Sequence, residues 1–198
     1  MKHYIKYPNS YIQCATQSLS DLDEESRCDL AQFSEEPRLL LRLVSDPSDY
    51  VRAGLADNLF ISAELLDMLA QDTSVSVRMR VADNDNTSAD TLKKLAKDSS
   101  SSVRQYVAYN ANTPSEVLAE LANDNYPITC QAVANNNNTS AETLAFLSKH
   151  ASSLVRNMVA MNSNTPDDVL KELTYDTNLS VVRNAQATLD DRHSKDRK

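Results

Sequence analysis

The sequence is nearly without glycine, since a single Gly occurs among 198 residues. Nucleotide-binding turns of α/β folds and tight hairpins use glycine where the backbone takes a positive φ or approaches a ligand closely. Tryptophan is absent, aromatic residues make up 6% of the chain, and no run resembles alternating β-branched residues of a strand. These absences predict an all-helical chain, and 41% hydrophobic residues are enough to form a buried core.

Cysteine is also scarce. Cys14, Cys28 and Cys130 form no C-x-x-C pair and no zinc-like spacing, and an odd number does not suit a secreted disulfide framework. No stretch approaches about 18 consecutive apolar residues, and no apolar segment of a signal peptide follows the N-terminus. The sequence therefore predicts a cytoplasmic protein with reduced thiols and without a membrane span, a metal site or a cofactor.

Basic charge is in deficit, with 20 Lys and Arg residues against 28 Asp and Glu residues and a net charge of -8. The field of such a protein repels nucleic acid and anionic membranes. We therefore expect neither as a partner.

In place of these features the chain has an internal repeat. Columns of the same residue return every 26 positions, which is the sequence signature of a solenoid. The columns are Leu40, Leu66, Leu92, Leu118, Leu144 and Leu170; Leu43, Leu69, Leu95, Leu121, Leu147 and Leu173; Val51, Val77, Val103, Thr129, Val155 and Val181; Ala56, Ala82, Ala108, Ala134 and Ala160; and Asn58, Asn84, Asn110, Asn136 and Asn162. We predict one solenoid over residues 19–189, with about six repeats of which the first and last are degenerate. An irregular segment (residues 1–18) precedes it, and a charged, disordered tail (residues 190–198) follows it.

Each repeat is predicted to form two short helices. The one that carries the two leucines is expected to be the longer, with a threonine as its N-cap and Pro114 and Pro166 at its first position. These N-caps are Thr87, Thr113, Thr139 and Thr165. The second helix carries the Val-Arg pair and begins near a serine column (Ser48, Ser74, Ser100 and Ser152) or near Asn178. It is expected to end at the asparagine column in a left-handed conformation, which asparagine tolerates.

The repeat unit V-R-x-x-V-A-x-N-x-N-T-P-x-x-x-L-x-x-L-A-x-D resembles the leucine-rich repeat variant family and, more loosely, HEAT-type repeats, from about residue 37 to residue 190. The resemblance implies a right-handed α-solenoid of short paired helices. Some members of the family carry an N-terminal cysteine cluster that holds an iron–sulfur centre. Only Cys14 and Cys28 lie near this N-terminus, so the thiolates for such a cluster are lacking and the cofactor is not expected.

A column of arginines follows a column of aspartates at a distance of six residues. The arginines could form an anion-binding stripe, or a structural ladder in which each guanidinium bridges the preceding turn's carboxylate and backbone carbonyls, as the HEAT-like resemblance implies. We favour the ladder, because a scaffold needs the same contact in every repeat and a site needs it once. The ladder residues are Arg52, Arg78, Arg104 and Arg156 with Asp46, Asp72, Asp98 and Asp176, and Arg183 stands one position out of register.

One repeat departs from this column. Cys130 stands where an arginine is expected and His150 where an aspartate is expected, so two neighbouring ladder pairs are predicted to be broken. A reactive thiol–imidazole pair, a local kink or altered binding surface, and simple repeat drift remain as interpretations. Helix layers about 8–10 Å apart do not favour the reactive pair.

Positions that vary between repeats are where recognition of a partner is expected. Two variable columns flank the Val-Ala core of the second helix, and they contain Tyr and Met residues typical of interfaces. The first column is Gly54, Arg80, Tyr106, Ala132 and Met158, and the second is Asp57, Asp83, Tyr109, Asn135 and Met161. From these we predict a partner-binding set of Arg80, Asp83, Tyr106, Tyr109, Asn135, Met158 and Met161. Partial burial of Tyr106 and Met158 against the next layer is the other interpretation, and Phe146 is a lesser candidate.

The pattern as a whole predicts a non-enzymatic scaffold that binds a protein partner through a pre-organised surface. No catalytic residue is assigned. One alternative is a HEAT-like nucleic-acid-binding protein of the DNA repair type, which the net acidity and the lack of Trp disfavour. Another is an enzyme built on Cys130 and His150.

Overall fold

The computed structural model describes residues 18–195, and over these residues it contains thirteen α-helices and no strand. A short 3-10 turn (Leu19–Asp21), capped by Ser18, precedes them. The helices are α1 (Glu24–Phe33), α2 (Pro37–Leu43), α3 (Asp49–Ala56), α4 (Ala63–Leu69), α5 (Val75–Asp83), α6 (Ala89–Leu95), α7 (Ser101–Tyr109), α8 (Ser115–Leu121), α9 (Pro127–Asn135), α10 (Ala141–Leu147), α11 (Ser153–Met161), α12 (Asp167–Leu173) and α13 (Leu179–Lys195). The remainder of the predicted N-terminal segment lies outside the described residues.

The helices form two rows. The odd-numbered helices make the Val-Arg row, and the even-numbered helices, each with two core leucines, make the Leu row. Each pair from α2–α3 to α12–α13 is one layer, so that layer 1 is α2–α3 and layer 6 is α12–α13, and α1 covers layer 1. The Leu-row helices have 7 residues and α5, α7, α9 and α11 have 9, so the prediction that the leucine helix is the longer one is wrong.

The leucine and valine columns form one continuous core. All twelve column leucines are 4% exposed or less, and the valine and alanine columns are fully buried. Consecutive helices of the Val-Arg row pack directly on one another, whereas consecutive Leu-row helices make no comparable contact. Because stacked layers curve toward the side on which they are closer, the Val-Arg row lies on the inner side of the array.

Leu-row helices begin one residue later than predicted. Ser62, Ser88 and Ser140 are N-caps whose hydroxyls accept from the N–H three residues on, and Pro114 and Pro166 hold the same position without a side-chain cap. The threonines before them are buried and donate to the carbonyl of the valine six residues earlier, at 2.5 to 2.6 Å. These threonines are Thr87, Thr113, Thr139 and Thr165. They close the turn after the Val-Arg helix and do not cap the next one.

The asparagine column joins each layer to the one before it. Asn84 Nδ2 donates to the carbonyl oxygens of Ala56 (2.8 Å) and Asn58 (3.1 Å), and its Oδ1 accepts from the Asn86 N–H (2.8 Å). Asn58, Asn110, Asn136 and Asn162 make the corresponding bonds. Asn84 has an extended backbone, and no described non-glycine residue has a positive φ. The predicted left-handed caps are therefore wrong, and buried amide side chains end these helices instead.

The last helix closes the array. At the position of the asparagine column α13 has Thr188, whose hydroxyl donates to the Ala160 carbonyl (2.8 Å). Since no asparagine turn ends the helix there, it continues over α12, where Arg192 contacts Asp167 (2.5 Å). Residues 190–195 are thus helical, and the prediction of a disordered tail is wrong for them, while residues 196–198 lie outside the described range. None of the helices in the described part of the chain has the length and apolar character needed to cross a bilayer.

Candidate functional site

The arginine column connects neighbouring layers through planar, bidentate ion pairs. Arg52 donates through Nε and Nη2 to both carboxylate oxygens of Asp72 (2.5 and 3.0 Å), which lies 20 residues later, and through Nη1 to the backbone carbonyl of Asp46 (2.6 Å). The prediction that the carboxylate comes from the preceding turn is therefore wrong, because it belongs to the following layer. The carboxylate of Asp46 pairs with Arg27 of α1 (2.7 Å). We call each such arginine–aspartate pair a rung.

The other rungs share this geometry. They are Arg78–Asp98 (2.7 Å), Arg104–Asp124 (2.5 Å) and Arg156–Asp176 (2.6 Å). Each aspartate also accepts from the backbone N–H two residues on, immediately before the next Val-Arg helix. The five rung arginines keep only 13–15% of their side-chain surface exposed, so they are occupied by carboxylates and do not form an anion-binding stripe.

The rungs lower the pKa of the aspartates at positions 72, 98, 124 and 176. The hydrogen bond from Arg156 holds the pKa of Asp176 below its ordinary value. At Asp72 burial alone would raise the pKa, but the hydrogen bonds from Arg52 and the Ser74 N–H outweigh it and lower the pKa. Both carboxylates are thus charged in the folded protein at neutral pH.

Cys130 and His150 occupy the two ends of one rung, since they stand 20 residues apart, like Arg104 and Asp124. One rung is missing here. The prediction that two neighbouring pairs are broken is therefore wrong. Cys130 Sγ donates to the Asp124 carbonyl (3.4 Å), and His150 Nδ1 accepts from the Ser152 N–H (3.0 Å), so each residue keeps the contact within its own layer. Neither side chain hydrogen-bonds to the other. Burial raises the pKa of the Cys130 thiol, the opposite of what an activated nucleophile needs.

Thr129 adds a second irregularity to the same helix. It stands in the valine column and is fully buried, and its Oγ1 has no hydrogen-bond partner. A buried, unsatisfied hydroxyl costs about 1–3 kcal/mol. Layer 4 therefore combines an unsatisfied polar atom with the missing rung. Over residues 18–195 no three His, Cys, Asp or Glu side chains converge as metal ligands.

The two variable columns separate by exposure. Tyr106 and Met158 are partly buried against the core, while Tyr109 and Met161 are 44% and 57% exposed. In the same columns Gly54 and Ala132 are buried, and Asp83 and Asn135 are exposed. Arg80 lies 3.5 Å from Asp57. Burial raises the pKa of Asp57, although the charge of Arg80 partly offsets it. The structure thus exposes most of the second column, from Asp83 to Met161, whereas Arg80 is the exposed member of the first column.

The Leu row is open between α8 and α10. A shallow cleft of about 380 Å³ is lined there by Ala119, Thr143 and the exposed Phe146. Two layers earlier the positions of Ala119 and Phe146 are held by Asp67 and Lys94, whose ion pair (2.6 Å) spans the gap. A polar cleft of about 450 Å³ lies between layers 3 and 4, around Arg104 and Asp124.

Sequence reasoning missed a further group, which lies where the chain enters the Val-Arg helices of layers 4 to 6. We call it the apolar edge. Its side chains are between 43% and 89% exposed. It consists of Tyr126, Ile128, Leu154, Tyr175 and Leu179. Ser76 and Ser102 occupy the column of Ile128 and Leu154 in layers 2 and 3, so the departure from serine was the signal that could have revealed it.

Comparison with known proteins supports the architecture. A solved structure described as a leucine-rich repeat variant with a novel repetitive protein structural motif matches with a TM-score of 0.67 and 28% identity, over 84% of this chain and 67% of that chain. This similarity confirms the predicted resemblance and the helical-repeat fold. A designed armadillo repeat protein aligns over 85% of this chain and 94% of its own at 17% identity, but with a TM-score of 0.34. No protein-family model and no curated protein matches the sequence.

Proposed function

We propose that this chain is a non-enzymatic repeat scaffold that binds a protein partner along the second variable column of the Val-Arg row. The observation that carries the proposal is the exposure of Tyr109 and Met161, two layers apart, on the closely packed inner row. Tyrosine and methionine bring large, adaptable apolar area to an interface. On the same column the earlier layers present Asp57 and Asp83.

Pre-organisation supports this proposal. The helices that carry the column are fixed by the asparagine amides and, at most layers, by a rung, so the exposed side chains stand on a rigid backbone. Binding to such a surface loses little conformational entropy. With layers about 8–10 Å apart, the column from Asp57 to Met161 extends over roughly 30–40 Å, enough for a partner to contact several layers at once.

The alternatives have less support. A nucleic-acid-binding protein needs free basic side chains, and the five rung arginines are bound by aspartates on a chain with a net charge of -8. An enzyme needs a reactive group, and the buried Cys130 thiol has a raised pKa. A salt-dependent mobility shift of duplex DNA by this chain would overturn the assignment to a protein partner.

The test is affinity capture from native lysate with the wild type and with the Tyr109→Ala/Met161→Ala variant. Because both side chains are exposed, the variant should keep the melting temperature and lose the specifically captured protein. Phe146→Ala, which removes an exposed aromatic from the Leu row, is the matched control and should retain that protein. Equal capture by all three chains would refute the role of the column.

A further inference from the structure

We propose that the apolar edge is a second docking surface, and that its occupant is an extended segment of a partner protein in which apolar side chains flank a carboxylate. This inference is independent of the function proposed above. The apolar edge lies at the N-terminal ends of α9, α11 and α13, whereas Tyr109 and Met161 lie at the C-terminal ends of α7 and α11.

Exposed apolar side chains also occur at the equivalent turns of layers 1 and 2, where Tyr50 and Val75 are 61% and 41% exposed, but most of them lie in layers 4 to 6. Layers 4 to 6 expose Tyr126, Ile128, Leu154, Tyr175 and Leu179. The equivalent turns of layers 2 and 3 read Ala-Gln-Asp-Thr-Ser-Val-Ser (residues 70–76) and Ala-Lys-Asp-Ser-Ser-Ser-Ser (residues 96–102). Serine there is compatible with the fold, so the folding of the repeat does not require the exposed apolar side chains. Several exposed apolar side chains in neighbouring layers are typical of an interaction site.

The charges at the edge indicate the chemistry of the occupant. In residues 122–128, 148–154 and 174–180 the acidic side chains are Asp124 and Asp176, and both are engaged by rung arginines. Within these residues the exposed charge is that of Lys149, and the exposed carboxylates of Glu120 and Glu172 lie just before the first and the third of these ranges. Because His150 Nδ1 accepts from the Ser152 N–H, its Nε2 carries the proton and can donate. A carboxylate of the occupant therefore finds two donors at layer 5, in the middle of the apolar strip.

The missing rung contributes to this site. A rung arginine and aspartate at positions 130 and 150 would place a paired carboxylate beside Lys149, as Asp124 and Asp176 are placed in the adjacent layers. Cys130 and His150 remove that carboxylate while they keep the contacts within each layer. Layer 5 is thereby left without a carboxylate at this position, next to the exposed Lys149.

A second copy of the chain fits the edge less well. In a two-fold pairing of layers 4 to 6, layer 5 lies at the axis, so Lys149 would face its own copy, and like charges across an interface are unfavourable. An extended segment suits the dimensions better. The distance from layer 4 to layer 6 is two layer spacings of about 8–10 Å, which an extended segment of about six residues spans at roughly 3.3 Å per residue.

The test uses two fluorescein-labelled peptides of about eight residues with the same alternating leucines, one with glutamate and one with lysine between them. Fluorescence anisotropy with the full chain should show at least about tenfold tighter binding of the glutamate peptide. The net charge of -8 predicts the opposite order, so the result separates local from overall electrostatics. Weaker or equal binding of the glutamate peptide overturns the proposal.

Matched variants locate the binding. Ile128→Ser/Leu154→Ser introduces the residue that Ser76 and Ser102 already provide, so the melting temperature should be unchanged while affinity falls at least about tenfold. Lys149→Asn, the residue found at Asn123 in the same column, should reduce the preference for glutamate over lysine. Leu59→Asp, which removes an exposed leucine elsewhere, should bind as the wild type does.

Two further outcomes would each overturn the proposal in favour of another occupant. One is sedimentation of the wild type as a dimer that Ile128→Ser/Leu154→Ser dissociates, which identifies a second copy. The other is binding to phosphatidylserine vesicles that the same variant loses, which identifies a lipid surface. Unchanged peptide affinity in Ile128→Ser/Leu154→Ser also excludes the edge.

Discussion

Layers 2 and 3 are joined by the Arg78–Asp98 rung, whereas layers 4 and 5 are joined without a rung, because Cys130 and His150 stand at its two ends. On the Leu row the two junctions differ as well, with the Asp67–Lys94 pair in one and Ala119 with Phe146 in the other. Both junctions retain the asparagine amides and the buried leucines. The comparison indicates that the core and the amides are sufficient to stack two layers, and that the charged contacts are additions to them.

The largest expected effect concerns what the two junctions share. Leu92 in layer 3 and Leu144 in layer 5 occupy the same column and are fully buried. Leu92→Ala and Leu144→Ala should each lower the free energy of unfolding by about 2–5 kcal/mol, since each loses transfer energy and leaves a cavity. Urea denaturation measures both. A much smaller loss for Leu144→Ala would mean that layer 5 is already loosely packed, and the comparison would fail.

A smaller effect is expected when the rungless junction is reproduced in layers 2 and 3. Arg78→Cys leaves the carboxylate of Asp98 partly buried and unpaired and should cost about 2–4 kcal/mol. Adding Asp98→His removes that carboxylate, so the double variant should be more stable than Arg78→Cys alone. A double-mutant cycle by urea denaturation gives the coupling between the two positions. Additive losses would show that the guanidinium and the carboxylate act independently.

The reverse exchange should stabilise the protein modestly. Cys130→Arg/His150→Asp restores both ends of the rung and should raise the free energy of unfolding by about 1 kcal/mol at neutral pH. Cys130→Arg alone provides no carboxylate and should not stabilise. Hydrogen exchange of α9 and α11 should slow in the double variant only.

The gain from the restored rung should depend on pH. At the rungs of Asp72, Asp98, Asp124 and Asp176 the pKa of the aspartate is lowered in the folded state, so the stabilisation is present above the ordinary aspartate pKa of about 3.9 and is lost as the pH falls through the lower folded value. The difference between Cys130→Arg/His150→Asp and the wild type should therefore begin to shrink near about pH 4 and disappear once the pH is below the lowered folded pKa. A gain that persists in acid would indicate packing of the arginine stem instead of an ion pair.

The period of the repeat was enough to predict the architecture from the sequence. Columns such as Leu118 and Val103 recur because every layer needs the same buried contact, and a solenoid places equivalent positions against one another. The exact role of each polar column was less accessible. Asn84 was predicted to turn the backbone, but its amide bonds the preceding layer, a contact across 26 and 28 residues that local helix-capping rules do not describe.

The contacts of the candidate site likewise depend on residues that are distant in the sequence. Arg52 is six residues from Asp46 and 20 from Asp72, and only the three-dimensional stacking shows that the carboxylate comes from the more distant residue. For this reason Cys130 and His150 were assigned to two pairs when they form one rung position. The apolar edge lies outside the columns that flank the Val-Ala core, so the variation within those columns does not indicate it.

The smallest substitution isolates the unsatisfied hydroxyl of layer 4. Thr129→Val replaces it with a methyl group of similar size, as at Val103 in layer 3, and should raise the free energy of unfolding by about 1 kcal/mol, the low end of the cost of an unsatisfied hydroxyl, since a buried donor no longer lacks a partner. Thr139→Val is the matched control, because Thr139 Oγ1 donates to the Val133 carbonyl (2.6 Å) and the same change should destabilise. If urea denaturation gives a higher free energy of unfolding for Thr129→Val and a lower one for Thr139→Val, part of the lower stability of layer 4 is due to the Thr129 hydroxyl. A loss of stability in Thr129→Val would instead show that its hydroxyl has a partner in solution, and the difference between layers 3 and 4 would then rest on the missing rung alone.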